Sequence, residues 1–378
     1  MYPKVKPALA RAWRDRETVQ FGVTPAHAVV VGPVDTATGA LIDRIDGTRG
    51  MELLRAEGGA MGLPDGQVDG LVRSLAAAGL LDDATAGGPR AQAVRSRPQA
   101  LERLGPDLGS LSLVHREPGG DLRGVAARRA IRVQVRGSGR VGGVIAAVLA
   151  GAGVGRVEVL DGGRVEPADV APGGMAPGSV GRLRAEAARS LVREAAPAHG
   201  PRTGEGGGPE PGLALVVVAP RDGLQSWAPD PQSAADWVAT GTPHLYAGVL
   251  EGTGLVGPLV LPGATACAGC MERDRVARDP AWPRMLVQWR SAHRRRAAAA
   301  CDLGLATAVA GLAAAHALSF LDGELPASTG TRWEAALPAL HWQPTAVRAD
   351  PDCPCGAAAR PEPVAAGVGS ASDRPGGP

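Results

Sequence analysis

The sequence predicts an α/β protein in which a mostly parallel sheet carries helices on both faces, preceded by a small N-terminal α+β domain. Three observations carry that expectation. From Ile131 onward, short β-rich runs alternate with stretches of helical periodicity, the pattern of parallel strands joined by crossover helices. A glycine-rich turn separates the first of those strands from its helix. Before residue 84 the order is different, with two β-rich runs followed by three helical stretches. A chain of 378 residues accommodates one large domain and one small one.

Residues 1–83 read as the small domain. TVQFGV and HAVVVG flank Thr24-Pro25-Ala26, a hairpin signal. Gly47 and Gly50 punctuate the next two helical stretches, and Pro64-Asp65 opens a third. In that third stretch Val68, Leu71, Val72 and Leu75 fall at i, i+3, i+4 and i+7, one face of a helix. A small sheet followed by three helices is winged-helix-like, with a strand edge suited to an extended peptide. Residues 84–124 read as linker and adaptor. Positions 84–100 are polar and rich in breakers, SLSLVH is a candidate strand and VAARRA a candidate helix.

The large domain is expected over 125–356. IRVQVRG, RVEVLD and LALVVVAP read as strands, and PHLYAGVLE with GLVGPLVLP as a strand pair. RVGGVIAAVLAGAG, VGRLRAEAARSLVREAA and SAADWVATG read as helices. Residues 198–212 read as a mobile loop, and 357–378, rich in Ala, Gly, Pro and Ser, as a disordered tail. Leu303–Leu321 is uncharged and nearly long enough to span a bilayer. Its alanine-rich make-up and His316 favour a buried core helix.

Hydrophobic residues make up 44% of the chain and charged ones 21%, an ordinary soluble composition. A net charge of +2 gives no ground for nucleic-acid or membrane binding. Lysine occurs only at Lys4 and Lys6, the remaining basic residues being arginine. The first residues lack the apolar core and cleavage site of a secretory signal. Five cysteines, an odd number containing two close pairs, suit a metal better than a disulfide framework. A cytoplasmic protein is expected.

Four features carry chemistry. Gly137-Ser138-Gly139-Arg140-Val141-Gly142 is a G-x-G-x-x-G between strand and helix, where glycines admit a tight turn and close approach of phosphate to the helix N-terminus. Asp161 ends the next strand at the spacing of a ribose-binding carboxylate. Cys267-x-x-Cys270 with Cys353-x-Cys355 supplies the four thiolates of a closed tetrahedral zinc site. Asp222 follows the buried strand of VVVAPRD, where it either holds Mg²⁺ against phosphates or is a solvated loop carboxylate. Cys301, at the start of the long apolar helix and downstream of Arg294-Arg295-Arg296, is either a thiolate activated by its surroundings or a buried structural cysteine.

In this order, RGSGRVGG, VGRVEVLD, VGRLRAEAA, VVVAPRD, ATACAGC, ACDLGLATAVAG and DCPC resemble the ThiF/MoeB/ubiquitin-activating-enzyme superfamily over about residues 125–356. The N-terminal region resembles a PqqD-like leader-peptide recognition element. The resemblance implies a Rossmann-like domain that binds ATP and Mg²⁺ and adenylates the C-terminal carboxylate of a peptide or ubiquitin-like sulfur carrier. It also implies a homodimer. By the same resemblance Gly137, Gly139 and Gly142 would cradle phosphate and Asp161 would hold the ribose; Arg140 stands where the family's loop has a further glycine and would add positive charge to the nucleotide site. Asp222 would bind the metal, and Cys301 lies near the family's acyl- or sulfur-transferring cysteine. Arg184 stands where the family has a phosphate-binding lysine. The family's Asn-x-x-Arg segment is replaced here by EPADVAPGGMAPG, and its D-A-T-D-N by APRDG. An alternative implied function is a non-catalytic partner that binds a leader peptide for a modification enzyme.

Overall fold

The structure is a computed structural model describing residues 1–197, 212–293 and 299–359. The expected mobile loop before Gly212, the arginine run at 294–296 and the tail from 360 lie outside the described residues. The chain divides into two units, Met1–Arg129 and Ala130–Pro378.

In the first unit, strands β1 (Pro3–Val5), β2 (Arg11–Trp13), β3 (Val19–Phe21) and β4 (Val29–Val31) precede helices α1 (Thr36–Ile42), α2 (Met51–Ala60) and α3 (Gln67–Ala77). β3 is the centre of an antiparallel β2-β3-β4 sheet, with Phe21 opposite Val29 in the expected hairpin. Val19 and Phe21 pack with Leu41, Leu54, Val68, Val72 and Leu75, so the expected face of α3 points into the core. Strand β5 (Leu81–Asp83) then pairs with β1.

The expected linker at 84–124 is instead helical: α4 (Gly88–Arg95), α5 (Pro98–Arg103), α6 (Gly105–Val114) and α7 (Gly120–Arg128). The prolines that read as breakers stand in the first turns of α4, α5 and α6, where no backbone N–H is needed. SLSLVH forms no strand. It lies at the end of α6, where Leu104, Leu108 and Leu111 recur at helical spacing and pack into one cluster. One core cluster lies within residues 1–83, and contacts run from these residues to the helices that follow. The ammonium of Lys6, 2% exposed, donates to the carbonyls of Ser112 at 2.6 Å and Arg116 at 3.1 Å. That contact ties the N-terminal strand to the helices that follow.

The second unit alternates β6 (Arg132–Arg136), α8 (Arg140–Gly151), β7 (Arg156–Leu160), α9 (Arg184–Ala195) and β8 (Leu213–Val218). Helices α10 (Leu224–Trp227) and α11 (Pro231–Ala239) lead to the hairpin β9 (His244–Leu250) and β10 (Thr253–Val260). Helices α12 (Ala268–Arg278), α13 (Trp282–His293) and α14 (Leu303–Leu321) precede β11 (Thr331–Ala336) and β12 (Gln343–Ala346). The sheet order is β12-β11-β10-β9-β8-β6-β7. β7, β6, β8 and β9 are parallel, while β10, β11 and β12 add antiparallel, so five of the seven strands share one direction.

Alternation along β8 separates the two faces. Leu215 and Val217 pack with α8, α9 and α14, whereas Val216 and Val218 pack with Trp237 of α11 and Met271 of α12. Helix α14 is long and apolar enough to cross a membrane. Here Leu305, Val309, Ala310, Ala313 and Ala317 bury one side of it in the larger core, as expected of a core helix.

Candidate functional site

The parallel strands β6, β7 and β8 end together around a cavity of about 690 Å³ lined by Gly137, Asp161, Arg184 and Asp222 among others. β7 and β8 flank β6 on opposite sides, which makes this edge the reversal point where open α/β sheets bind ligands. Four of the residues singled out in the sequence, from four separate segments, therefore meet at one place.

The loop after β6 needs its glycines for steric reasons. Gly137 has φ of +106°, and a Cβ there would lie 2.0 Å from the Ala219 carbonyl oxygen. A Cβ on Gly142 would lie 2.1 Å from the Gly137 carbonyl oxygen, so Gly142 brings α8 against its own loop. Gly139 caps α8, and a Cβ there would press within 3.0 Å of the Arg221 side chain. Of this loop Gly137 lines the cavity, whereas Gly139, Arg140 and Gly142 are not among the lining residues.

Asp161 is tied to this loop. The N–H and the hydroxyl of Ser138, a fully buried residue, both donate to its Oδ2 at 2.8 Å. Among the described residues Oδ1 takes no hydrogen bond. Asp222 accepts the Leu224 N–H at 3.1 Å. The turn after it requires glycine, since Gly223 has φ of +70° and a Cβ there would meet the Val249 carbonyl at 2.1 Å.

Two expected site residues are committed elsewhere. The Arg140 guanidinium donates to the carbonyls of Ala168 at 2.9 Å and Cys301 at 2.8 Å, pinning two segments to the start of α8. The Cys301 thiol is half-buried and packs against the larger core. Burial pushes its pKa up, against the opposing charge of Arg140. Of the two alternatives for this cysteine, the activated thiolate is the one disfavoured, by burial first and then by the charge of Asp302, which caps α14 by accepting the Leu305 N–H at 2.9 Å. Cys301 is also not among the residues lining the cavity.

Arg184 is 5% exposed, and one of its nitrogens donates to the Gly162 carbonyl at 2.7 Å. It shares Asp169 and Glu166 with Arg221 in a four-membered ionic ring. A hydrogen bond from Arg221, followed by that residue's charge, holds the Glu166 carboxyl below the usual range. Glu166, Asp169 and Arg221 carry no spacing signal of their own, although all three lie in the EPADVAPGGMAPG and VVVAPRD segments. Trp237 and Tyr246 complete one wall. The Arg136 guanidinium lies 4.8 Å from the Trp237 ring centre, and the buried Tyr246 hydroxyl has no hydrogen-bond partner among the described residues.

On the α11/α12 face, the Sγ atoms of Cys267, Cys270, Cys353 and Cys355 lie within 4.8 Å of one another. Three of the separations are 3.9 Å (Cys267 to Cys270), 3.6 Å (Cys267 to Cys353) and 3.5 Å (Cys270 to Cys355). A tetrahedral zinc with Zn–S bonds of about 2.3 Å requires an S–S edge of roughly 3.8 Å. All four thiols are unbridged. Gly269 leaves them room, since a Cβ there would approach Cys353 Sγ to 3.2 Å and Cys267 Sγ to 3.5 Å. The donor set and its size fit zinc.

The ThiF family model matches residues 121–355. A search of curated proteins finds no match. Among solved structures, PaaA aligns with 15% identity and a TM-score of 0.65, covering 90% of this chain and 99% of its own. E. coli MccB with ATP aligns at 15% identity and a TM-score of 0.63, over 93% of this chain and 99% of its own. The microcin C7 biosynthetic enzyme MccB in complex with N-formylated MccA gives 15%, 0.63, 94% and 99%. At these identities the likeness is one of fold, and it extends over both units.

Proposed function

The chain belongs to the ThiF family, and on that premise we propose that it is an ATP-dependent adenylyltransferase activating the C-terminal carboxylate of a peptide or small carrier protein. The observation that supports this most is the convergence of Gly137, Asp161, Arg184 and Asp222 on one cavity at the reversal point of the sheet. The E. coli MccB structure with ATP and the MccB complex with N-formylated MccA favour a nucleotide and a peptide-like carboxylate as the reactants.

In this reading the substrate carboxylate attacks the α-phosphorus of ATP, a P–O bond forms to the peptide, and pyrophosphate leaves with the bonding electrons. The loop from Gly137 to Gly142 holds phosphate oxygens against the N-terminus of α8. Asp161, steadied through Oδ2 by Ser138, offers Oδ1 to the ribose. Asp222 is the carboxylate suited to Mg²⁺, which when bound draws charge from the phosphates. Arg184 supplies fixed positive charge where negative charge develops. Arg140, with two carbonyl partners and no place among the cavity-lining residues, is assigned to holding the loop. Cys267, Cys270, Cys353 and Cys355 would hold zinc in a structural role, since four thiolates satisfy the ion without a water or substrate ligand.

The first unit is assigned to peptide recognition, with β2 or β4 as the edge of its three-stranded sheet that would accept an added strand. The homodimer implied by the family resemblance belongs to the same proposal. A second reading, a non-catalytic protein that presents a leader peptide to a partner enzyme, is favoured by one observation. Two of the three arginines that line the cavity, Arg184 and Arg221, are already paired with carboxylates. Substrate-dependent ATP–pyrophosphate exchange separates the readings. An adenylyltransferase exchanges label in the presence of its peptide, and a leader-binding partner exchanges none.

A further inference from the structure

The ionic ring beside the glycine loop is sorted by atom. Both Nε groups point to Asp169, from Arg184 at 3.1 Å to Oδ2 and from Arg221 at 2.6 Å to Oδ1. Both Nη2 groups point to Glu166, from Arg184 at 3.2 Å to Oε1 and from Arg221 at 2.8 Å to Oε2. The two carboxylates differ sharply in burial. The Asp169 side chain is 3% exposed and its Oδ2 also accepts the Glu166 N–H at 2.8 Å, whereas the Glu166 side chain is 59% exposed. One carboxylate is built into the fold and the other stands at the solvent-facing side of the pair.

We propose that Arg221 joins Arg184 in a two-arginine clamp for polyphosphate, closed by Glu166 in the position of a phosphate and opened when a nucleotide displaces it. The proposal rests on the nucleotide reading above. Glu166 spans the two guanidinium groups with one oxygen on each, the geometry with which a phosphate spans two arginines. Phosphate brings more negative charge than a carboxylate and competes well for both Nη2 groups. Glu166 is 59% exposed and regains hydration when it leaves, which offsets the loss of its pairs to the buried Arg184 and the part-exposed Arg221. Asp169 stays, and its hold on both Nε groups keeps the vacated Nη2 groups side by side. Asp169 is therefore a positioning residue. Both arginines, Glu166 and Gly137 line the same cavity, and the contact of Gly139 with Arg221 sets the clamp against the glycine loop.

Calorimetric titration of the full chain with MgATP, and separately with inorganic pyrophosphate, tests this. Glu166→Gln should tighten MgATP binding about fivefold, the upper range for an exposed pair. Glu166→Ala should shift it in the same direction. Arg221→Gln should weaken binding by about tenfold, as expected for loss of a charge-assisted bond. In the double variant the gain from Glu166→Gln should shrink. If MgATP binds the wild type and the Glu166 variants bind it equally or more weakly, the clamp is overturned while the nucleotide reading stands. An Arg221→Gln variant that binds MgATP like the wild type overturns it equally. If MgATP binds no form, pyrophosphate decides. Tighter pyrophosphate binding by Glu166→Gln supports the clamp and removes ATP as its ligand, whereas no pyrophosphate binding by the folded Glu166 variants overturns the clamp.

Discussion

Replacing Cys353 by serine should release zinc from one corner of the cysteine cluster and loosen the attachment of the C-terminal segment. The Sγ separations of 3.5, 3.6 and 3.9 Å bracket the roughly 3.8 Å edge of a zinc tetrathiolate. Cys267 precedes α12 and Cys270 lies in its first turn, while Cys353 and Cys355 come some 85 residues later. A metal there closes a long loop and packs Cys353 into the cluster with Trp237 and Met271. A structural zinc site contributes on the order of 10 kcal/mol, so one thiolate in four is worth about 2.5 kcal/mol. For a unit of this size that lowers the melting temperature by roughly 5–10 °C. The assays are metal analysis of the purified chain, expected to give one zinc per chain, and thermal denaturation of wild type and variant. No zinc in the wild type, or a Cys353→Ser variant that melts unchanged, would refute the reasoning.

Three further outcomes can be checked with single variants. Gly142→Ala should destabilise the second unit by about 3 kcal/mol or more, because its Cβ would sit 2.1 Å from the Gly137 carbonyl oxygen; an unchanged melting curve would contradict the assigned packing. Asp161→Ala should weaken ATP binding by at least about tenfold, from loss of a ribose acceptor and of the two Ser138 bonds to the loop, as read by titration calorimetry. Lys6→Met leaves the buried carbonyl of Ser112 and the part-buried carbonyl of Arg116 without this donor, at about 1–3 kcal/mol. For the same reason a fragment ending at residue 83 should be less stable than one ending at 129, and equal melting of the two would show that residues 1–83 stand alone.

The parts of the fold written in periodicity and glycine spacing were legible in the sequence. The alternating order from Arg132 to Val218 and the hairpin at 244–260 follow from β-rich runs bounded by turns. The four cysteines follow from paired spacing that few other structures need. Residues 84–124 misled because proline in a first helical turn and proline in a loop look alike without the helix around them. The ionic ring was illegible for another reason. Arg221 stands beside the expected Asp222, and Glu166 opens the very segment that departs from the family pattern, yet their pairing spans 55 residues. Arg140 looked like a phosphate ligand from its place in the loop. Only the positions of the Ala168 and Cys301 carbonyls reveal its use.

The central claim is adenylation at the cavity bounded by Gly137, Asp161, Arg184 and Asp222. The most direct measurement is ATP–pyrophosphate exchange with peptides encoded beside this chain, run on wild type and Asp222→Ala. The account expects peptide-dependent exchange by the wild type. It expects a loss of about 100-fold or more in the variant, the scale of removing one transition-state contact, with ATP still bound. Absence of exchange from wild type that binds the peptide tightly would contradict it, as would full exchange by Asp222→Ala.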